Sequence, residues 1–74
     1  MTAQEVYDMY SFEIFIDHRG EYRWRFKASN GETIAVSSES YTSKESCHYS
    51  VQLIQMYSPT APVYDLTPTH AARW

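Results

Sequence analysis

The chain has 74 residues, a formal charge of −3 at pH 7 and a single cysteine, Cys47. A chain of this length forms one domain, and folding buries only about 60% of its unfolded surface, so its core is marginal. One cysteine excludes an internal disulfide, and the acidic balance argues against non-specific phosphate binding. The sequence has no run of ~20 apolar residues and no secretory signal pattern, so we expect a soluble cytoplasmic protein.

Two segments of alternating side chains predict the first hairpin. Residues 10–17 and 21–28 each place apolar side chains on one face and mostly polar ones on the other, as in a sheet with one buried face. The two apolar faces match if a three-residue loop ends at Gly20, because glycine adopts the left-handed conformation without steric cost. The register then pairs Ile16 with Tyr22, Ile14 with Trp24, Phe12 with Phe26 and Tyr10 with Ala28.

The second hairpin contains Asn30-Gly31, a frequent signature of two-residue loops. A two-residue loop would place buried and exposed side chains on the same face of the sheet. A three-residue loop, residues 29–31, keeps the apolar face continuous, and we therefore predict it. The predicted pairs are Phe26 with Ile34 and Trp24 with Val36.

A helix is predicted over residues 43–57. Thr42 and Glu45 have the spacing of a capping box at its start, and Pro59 ends it. One apolar stripe at helical spacing should pack on the sheet: Cys47, Val51 and Ile54. A second stripe faces the opposite way: Tyr49, Leu53 and Met56. A domain with one sheet and one helix leaves this second stripe exposed, which indicates a further contact.

Residues 62–67 have the pattern of a short strand entered through a proline. After a helical crossover, this strand would join either free edge of its own sheet in parallel, whereas a second chain offers an antiparallel place and covers open edges. We therefore predict an α+β fold of β-β-β-α-β order. A three-stranded antiparallel meander carries one helix on one face, and the short C-terminal strand is exchanged between two subunits into a continuous sheet. The candidate dimer interface comprises Tyr49, Leu53, Met56, Val63, Tyr64 and Leu66.

Short motifs occur in a specific order along the chain: residues 20–28, Asn30-Gly31, Ile34, residues 38–41, Ser43-Lys44, Val51, Ile54, Val63 and Asp65. This order resembles the YegP-like family of small bacterial and archaeal proteins over residues 12–67. The resemblance implies a β-β-β-α-β unit that occurs in pairs, as tandem repeats or as two subunits, with exchanged last strands. The family has no established biochemical activity that the resemblance could transfer to this chain. The chain differs from the family at Ser40, where glycine is common, and in its apolar Tyr49 and Leu53.

A basic stripe on the second strand suggests an alternative function. Its residues, with one aromatic neighbour on the same face, are Arg23, Arg25, Lys27 and Phe15. Cations beside an exposed ring form the kind of surface that binds single-stranded nucleic acid. Charged side chains are also common on the solvent face of an antiparallel strand, and Glu13 lies opposite Arg25 in the predicted register.

Residues that could carry chemistry do not form a recognisable site. His18, His48 and His70 with Cys47 lack the spacing of a zinc site, since adjacent helical residues project about 100° apart. Cys47 belongs to the apolar stripe, and no phosphate-binding or serine-hydrolase motif is present. We therefore expect no metal, no cofactor and no enzymatic activity.

The expected organisation is an N-terminal extension over residues 1–9, one domain over residues 10–67 and a loose tail over residues 68–74. The expected function is that of a small non-enzymatic homodimeric interaction or accessory module whose biochemical role is unknown. The alternatives are a dimeric single-stranded nucleic-acid binder and, more remotely, a small-ligand site in a groove between subunits.

Overall fold

The computed structural model describes residues 9–68. Its elements are β1 (Ser11–Ile16), β2 (Tyr22–Lys27), β3 (Thr33–Val36) and α1 (Lys44–Tyr57), followed by a 3₁₀ turn (Ser58–Thr60). The three strands form one antiparallel sheet in the order β1-β2-β3, and α1 packs on β1 and β2. The predicted meander with one helix on one face is confirmed.

The structure does not contain the predicted last strand within one chain. Residues 61–68 belong to no helix or strand. Most of the predicted N-terminal extension and C-terminal tail lies outside the described residues, as does His70.

The β1–β2 hairpin has the predicted register. Ile16 lies opposite Tyr22, Ile14 opposite Trp24 and Phe12 opposite Phe26. Gly20 has a φ of 79°, and its N–H donates to the Asp17 carbonyl at 3.0 Å. The left-handed glycine that closes the three-residue loop is therefore confirmed, and the alternation of apolar residues was sufficient to define the pairing.

The β2–β3 loop was predicted correctly, but the register beyond it was wrong. Residues 29–31 form the loop, in which Gly31 has a φ of 90° and the N–H of Ala28 donates to the Glu32 carbonyl at 2.8 Å. One strand step later the register shifts at a bulge. The observed pairs are Lys27 with Thr33, Phe26 with Ala35 and Arg25 with Val36, in place of Phe26 with Ile34 and Trp24 with Val36.

The bulge has a packing consequence. It brings Ala35, a small residue, opposite Phe26 and beneath the end of α1, where Ile54 also lies. Directly opposed residues share a face, so Val36 lies on the same side of the sheet as Arg25. The extra residue of the bulge therefore leaves room for the helix. It also moves Val36 to the face of the sheet that carries Arg23, Arg25 and Lys27, which is called the basic face below.

The chain after β3 returns to the sheet and starts α1 one residue later than predicted. The chain bends at residues 38 and 39, and Tyr22 and Tyr41 then exchange both backbone hydrogen bonds at 2.8 Å. Ser43, with φ −127° and ψ 149°, is the N-cap, and its hydroxyl accepts from the N–H of Ser46 at 3.1 Å. The capping box predicted at Thr42 and Glu45 is therefore wrong, because the bridge to β2 positions Ser43 at the helix start.

The core lies between β2 and α1 and is small. The buried apolar residues are Trp24, Cys47 and Val51. Partly buried side chains surround them: Phe12, Tyr22, Phe26, Tyr41 and Ile54. The predicted sheet-facing stripe of α1 is thus confirmed, and Phe12 meets Trp24 edge to face at 5.6 Å between ring centroids.

Candidate interaction surfaces

The basic face of the sheet is held by bonds within the chain. Glu13 lies opposite Arg25 as the predicted register requires, and Arg25 Nε donates to Glu13 Oε1 at 2.7 Å. The Arg25 guanidinium lies 4.6 Å from the centre of the Phe15 ring. The Arg25 hydrogen bond lowers the pKa of the Glu13 carboxyl. Arg23 Nη2 donates to the Ser37 carbonyl at 2.7 Å. Arg23 and Arg25 are therefore already bonded within the chain. Of the three predicted cations, Lys27 is the one most available to a ligand.

Two polar atoms near this region are buried without a hydrogen-bond partner among the described residues. They are Arg23 Nε and Trp24 Nε1. Trp24 lines a shallow apolar groove between the sheet and the end of α1, together with Phe12, Phe26, Ala35 and Ile54. A buried indole N–H usually has an acceptor, and Trp24 Nε1 has none among the described residues.

The candidate dimer residues separate into two distinct places. Tyr49, Leu53 and Met56 form the outer helix face, the side of α1 turned away from the sheet, and are 60%, 38% and 65% exposed. Val63, Tyr64 and Leu66 lie beyond the helix and are 95%, 77% and 90% exposed. The structure brings neither group into contact with the core, so all six side chains are available to a second molecule.

The sheet itself also has uncovered apolar surface that sequence reasoning missed. Ile14 and Ile16 lie on the helix side of β1 but remain 36% and 60% exposed. On β3, Ile34 and Val36 are 56% and 55% exposed. An α-helix is only about 10–12 Å across, and α1 packs on β1 and β2 but not on β3, so apolar side chains at both edges of the sheet stay uncovered.

A polar cluster at the first turn was also missed. Asp17 Oδ1 accepts from the backbone N–H groups of Arg19 and Glu21 at 2.9 and 3.0 Å, and Ser40 Oγ donates to Asp17 Oδ2 at 2.9 Å. Arg19 Nη2 in turn donates to Ser40 Oγ at 2.9 Å. Ser40, the departure from the family glycine, therefore ties the turn to the segment after β3. It does so without a positive φ.

The bonds to Asp17 predict a loss of stability in acid. The Glu21 N–H, the Ser40 hydroxyl and the Arg19 N–H together lower the pKa of Asp17 below its ordinary value. Since the folded-state pKa is the lower one, the contribution is present above the unfolded pKa, near 3.9, and disappears as pH falls through the folded pKa. Thermal unfolding of Asp17→Asn should therefore depend less on pH below about 4 than that of the wild type.

Glu21→Gln is the matched control for this prediction. It removes a carboxylate from the same turn, and its exposed contact with Arg19 is long, at 3.8 Å. Its midpoint should fall with acid as the wild-type midpoint does. Equal acid dependence of Asp17→Asn and the wild type would contradict the role given to Asp17.

Groups suited to catalysis or metal binding are dispersed. Within residues 9–68, no three His, Cys, Asp or Glu side chains gather into a possible metal site. Cys47 is completely buried, and burial raises the pKa of its thiol, which disfavours the nucleophilic thiolate. Over the same residues, no helix is long and apolar enough to cross a membrane.

Comparison with known proteins agrees with this fold. The UPF0339 protein Atu0232 of Agrobacterium fabrum is 52% identical over 59 residues, which cover 80% of this chain and 94% of that protein. The solution structure of ATU0232 from Agrobacterium tumefaciens superposes with a TM-score of 0.66 at 48% identity, over 78% of this chain and 92% of the other. A solution structure from Haloferax volcanii gives a TM-score of 0.71 at 33% identity, over 78% and 97% of the two chains.

A further relative is longer than this chain. The UPF0339 protein from the 5′ region of the ptx operon of Stutzerimonas stutzeri is 38% identical over 55 residues. The match covers 74% of this chain but only 49% of that protein. The relative therefore has room for a second unit of the same size.

A known domain family matches most of the folded region. The family described as a domain of unknown function, DUF1508, matches residues 17–65. This match and the UPF0339 relatives confirm the resemblance to the YegP-like family. They attach no biochemical function to it, as the sequence led us to expect. The chain belongs to the UPF0339 family and carries the DUF1508 domain.

Proposed function

We propose that this protein is a non-enzymatic homodimeric interaction or accessory module in which residues 62–67 of each chain complete the sheet of the other. The observation that carries the proposal is the exposure of Val63, Tyr64 and Leu66, at 95%, 77% and 90%. Three apolar side chains this exposed within four residues are unfavourable in water. Their burial would contribute about 1.5–3 kcal/mol for each side chain.

The sheet offers a surface for that segment. Both β1 and β3 are edge strands, and each keeps apolar side chains exposed, including Ile16 and Val36. Open apolar edges favour pairing with another chain. An antiparallel strand added at either edge would satisfy the backbone groups of that edge and cover its exposed apolar side chain.

The small core and the relatives give further support. Only Trp24, Cys47 and Val51 are buried apolar residues within the described part of the chain. A neighbouring chain could also supply the acceptor that Trp24 Nε1 lacks among the described residues. The ptx relative, about half of which matches this chain, is consistent with units that work in pairs.

The geometry favours this proposal over nucleic-acid binding. Arg23 and Arg25 are engaged by Ser37 and Glu13, and the net charge is −3. A phosphate would have to compete with these bonds and with the overall negative charge. The apolar groove beside Trp24 is a place where a small ligand could bind in a dimer, but its lining is mainly apolar, with only Gln55, Ser58 and the Trp24 indole N–H as polar groups. The proposal includes a cytoplasmic location, which suits the free thiol of Cys47.

Molar mass in solution tests the exchange. By light scattering after size exclusion at low micromolar concentration, the wild type should have twice the 8.7 kDa chain mass. The double variant Tyr64→Ser, Leu66→Ser should have the mass of one chain, because both substitutions remove apolar surface from the same strand face. Asp65→Ser, between them, should remain dimeric. A wild-type monomer, or a double variant that stays dimeric, would disprove the exchange.

A further inference from the structure

The outer helix face is unusual for an exposed helix surface. Tyr49 and Met56 are 60% and 65% exposed, and Leu53 between them is 38% exposed. Residues 46–58 contain no Asp, Glu, Lys or Arg. Solvent-facing helix surfaces are normally rich in these residues, whereas interface cores are depleted in them and enriched in Tyr and Met. The composition is therefore that of a covered surface.

We propose that the outer helix face binds the same face of a second copy, with the two helices antiparallel about a two-fold axis near Leu53. Tyr49 and Met56 lie four and three residues to either side of Leu53. In an antiparallel pair, Leu53 meets its own counterpart at the centre and Tyr49 meets Met56 at each end. This arrangement is self-complementary, as a two-fold contact requires, and it pairs a ring with a thioether sulfur, a favourable contact.

The absence of charge is the reason for choosing a second copy as the partner. An acidic or basic partner would find no opposite charge on this face, so electrostatic attraction could not select it. The same face of another copy matches it in polarity. Gln52 and Gln55 border the face and can exchange neutral hydrogen bonds across the contact.

The area indicates how many chains take part. The exposed surface of Tyr49, Leu53, Met56 and the adjacent Tyr57 is roughly 100 Å² each, so one helix pair buries about 800 Å² in total. A single pair is therefore below the size of a stable interface, about 1,200–2,000 Å². Two helix pairs acting together would reach it.

The number of chains in the assembly rests on the proposed function. The contact between two outer helix faces does not depend on it. Antiparallel edge strands that join two identical sheets are related by a two-fold axis normal to the sheet, so both helices of an exchanged dimer lie on the same side. Two dimers can then face each other through two helix pairs, which makes an assembly of four chains.

Charge substitutions at the centre test the contact. Wild-type mass should rise from two to four chain masses between low micromolar and millimolar concentration. Leu53→Lys and Leu53→Glu should each stay at two chain masses, because like charges meet on the axis. An equimolar mixture of the two should recover four, which a folding defect could not explain. His48→Lys, an exposed change elsewhere on α1, should behave as the wild type does.

The same measurement separates failure of the contact from failure of the exchange. A wild-type mass fixed at two, or one that Leu53→Lys leaves unchanged, overturns the helix contact. If the exchange alone fails, wild-type mass rises from one to two, Leu53→Lys abolishes the rise, and the Tyr64→Ser, Leu66→Ser variant changes nothing.

Cross-linking gives a second test of the axis. Under oxidation, Leu53→Cys should form a covalent dimer at high concentration, whereas His48→Cys and the wild type should not. Cys47 does not compete because it is completely buried. Equal cross-linking of the two variants would contradict the antiparallel pairing at Leu53.

Discussion

Trp24→Ala is expected to lower the free energy of unfolding by about 3–5 kcal/mol. Trp24 is one of three buried apolar residues in the described part of the chain, and it contacts Phe12 edge to face at 5.6 Å between centroids. Truncation of a buried tryptophan to alanine costs about 3–5 kcal/mol. The total stability of a domain of 74 residues is about 4–11 kcal/mol. The change therefore removes a large share of it, as measured by urea unfolding followed by circular dichroism.

Two comparisons make this prediction specific. Trp24→Phe keeps an aromatic ring in the core and should cost clearly less than the alanine variant, since the indole N–H has no partner among the described residues. Ile34→Ala, at a site that is 56% exposed, should change the free energy of unfolding by about 0.5 kcal/mol or less. A Trp24→Ala protein as stable as Ile34→Ala would refute the position of the core.

Ser37→Ala is expected to lower the free energy of unfolding by about 1–3 kcal/mol. Ser37 is 1% exposed, and its hydroxyl accepts from the N–H of Trp24 at 3.3 Å and donates to the Glu39 carbonyl at 2.9 Å. Alanine fills nearly the same space but leaves both backbone groups unsatisfied. For a domain of this size, the midpoint of thermal unfolding should fall by about 5–20 °C.

Ser38→Ala is the control for Ser37→Ala. Ser38 is the next residue and is exposed, so its replacement should shift the midpoint by no more than a few degrees. Equal effects of the two variants would show that the hydrogen bonds of the Ser37 hydroxyl do not stabilise the fold. Sequence reasoning did not single out Ser37, because a serine in a serine-rich segment looks the same whether it is exposed or buried.

The two hairpins show where a sequence pattern is sufficient and where it is not. In β1 and β2 the alternation is strict, and shifting the register by one residue would expose every large apolar side chain, so only one pairing is reasonable. In β3 the residues Ile34, Ala35 and Val36 are apolar in succession. Either register then places an apolar residue inward, and the pattern could not reveal the bulge.

The sequence predicted some features of the candidate surfaces and missed others. Those that depend on the spacing of nearby residues could be predicted, and those that depend on a distant segment could not. Helical spacing was enough to separate the core stripe from the outer helix face, since both follow from the geometry of α1. The spacing of Arg23, Arg25 and Lys27 correctly gave one face of β2 and the contact of Arg25 with Glu13. It could not give the bond from Arg23 to the Ser37 carbonyl, because Ser37 returns to the sheet 14 residues later.

The sequence by itself determined the first three strands, the two glycine-closed turns, the helix and the residues that α1 presents to the sheet. These features depend on side-chain alternation, helical periodicity and local backbone preference, which act between residues close in the chain. Only the tertiary structure decided the β3 register, the N-cap at Ser43 and the use of the basic side chains. Each of these depends on which distant group occupies the neighbouring space, and several local choices satisfy the same sequence pattern.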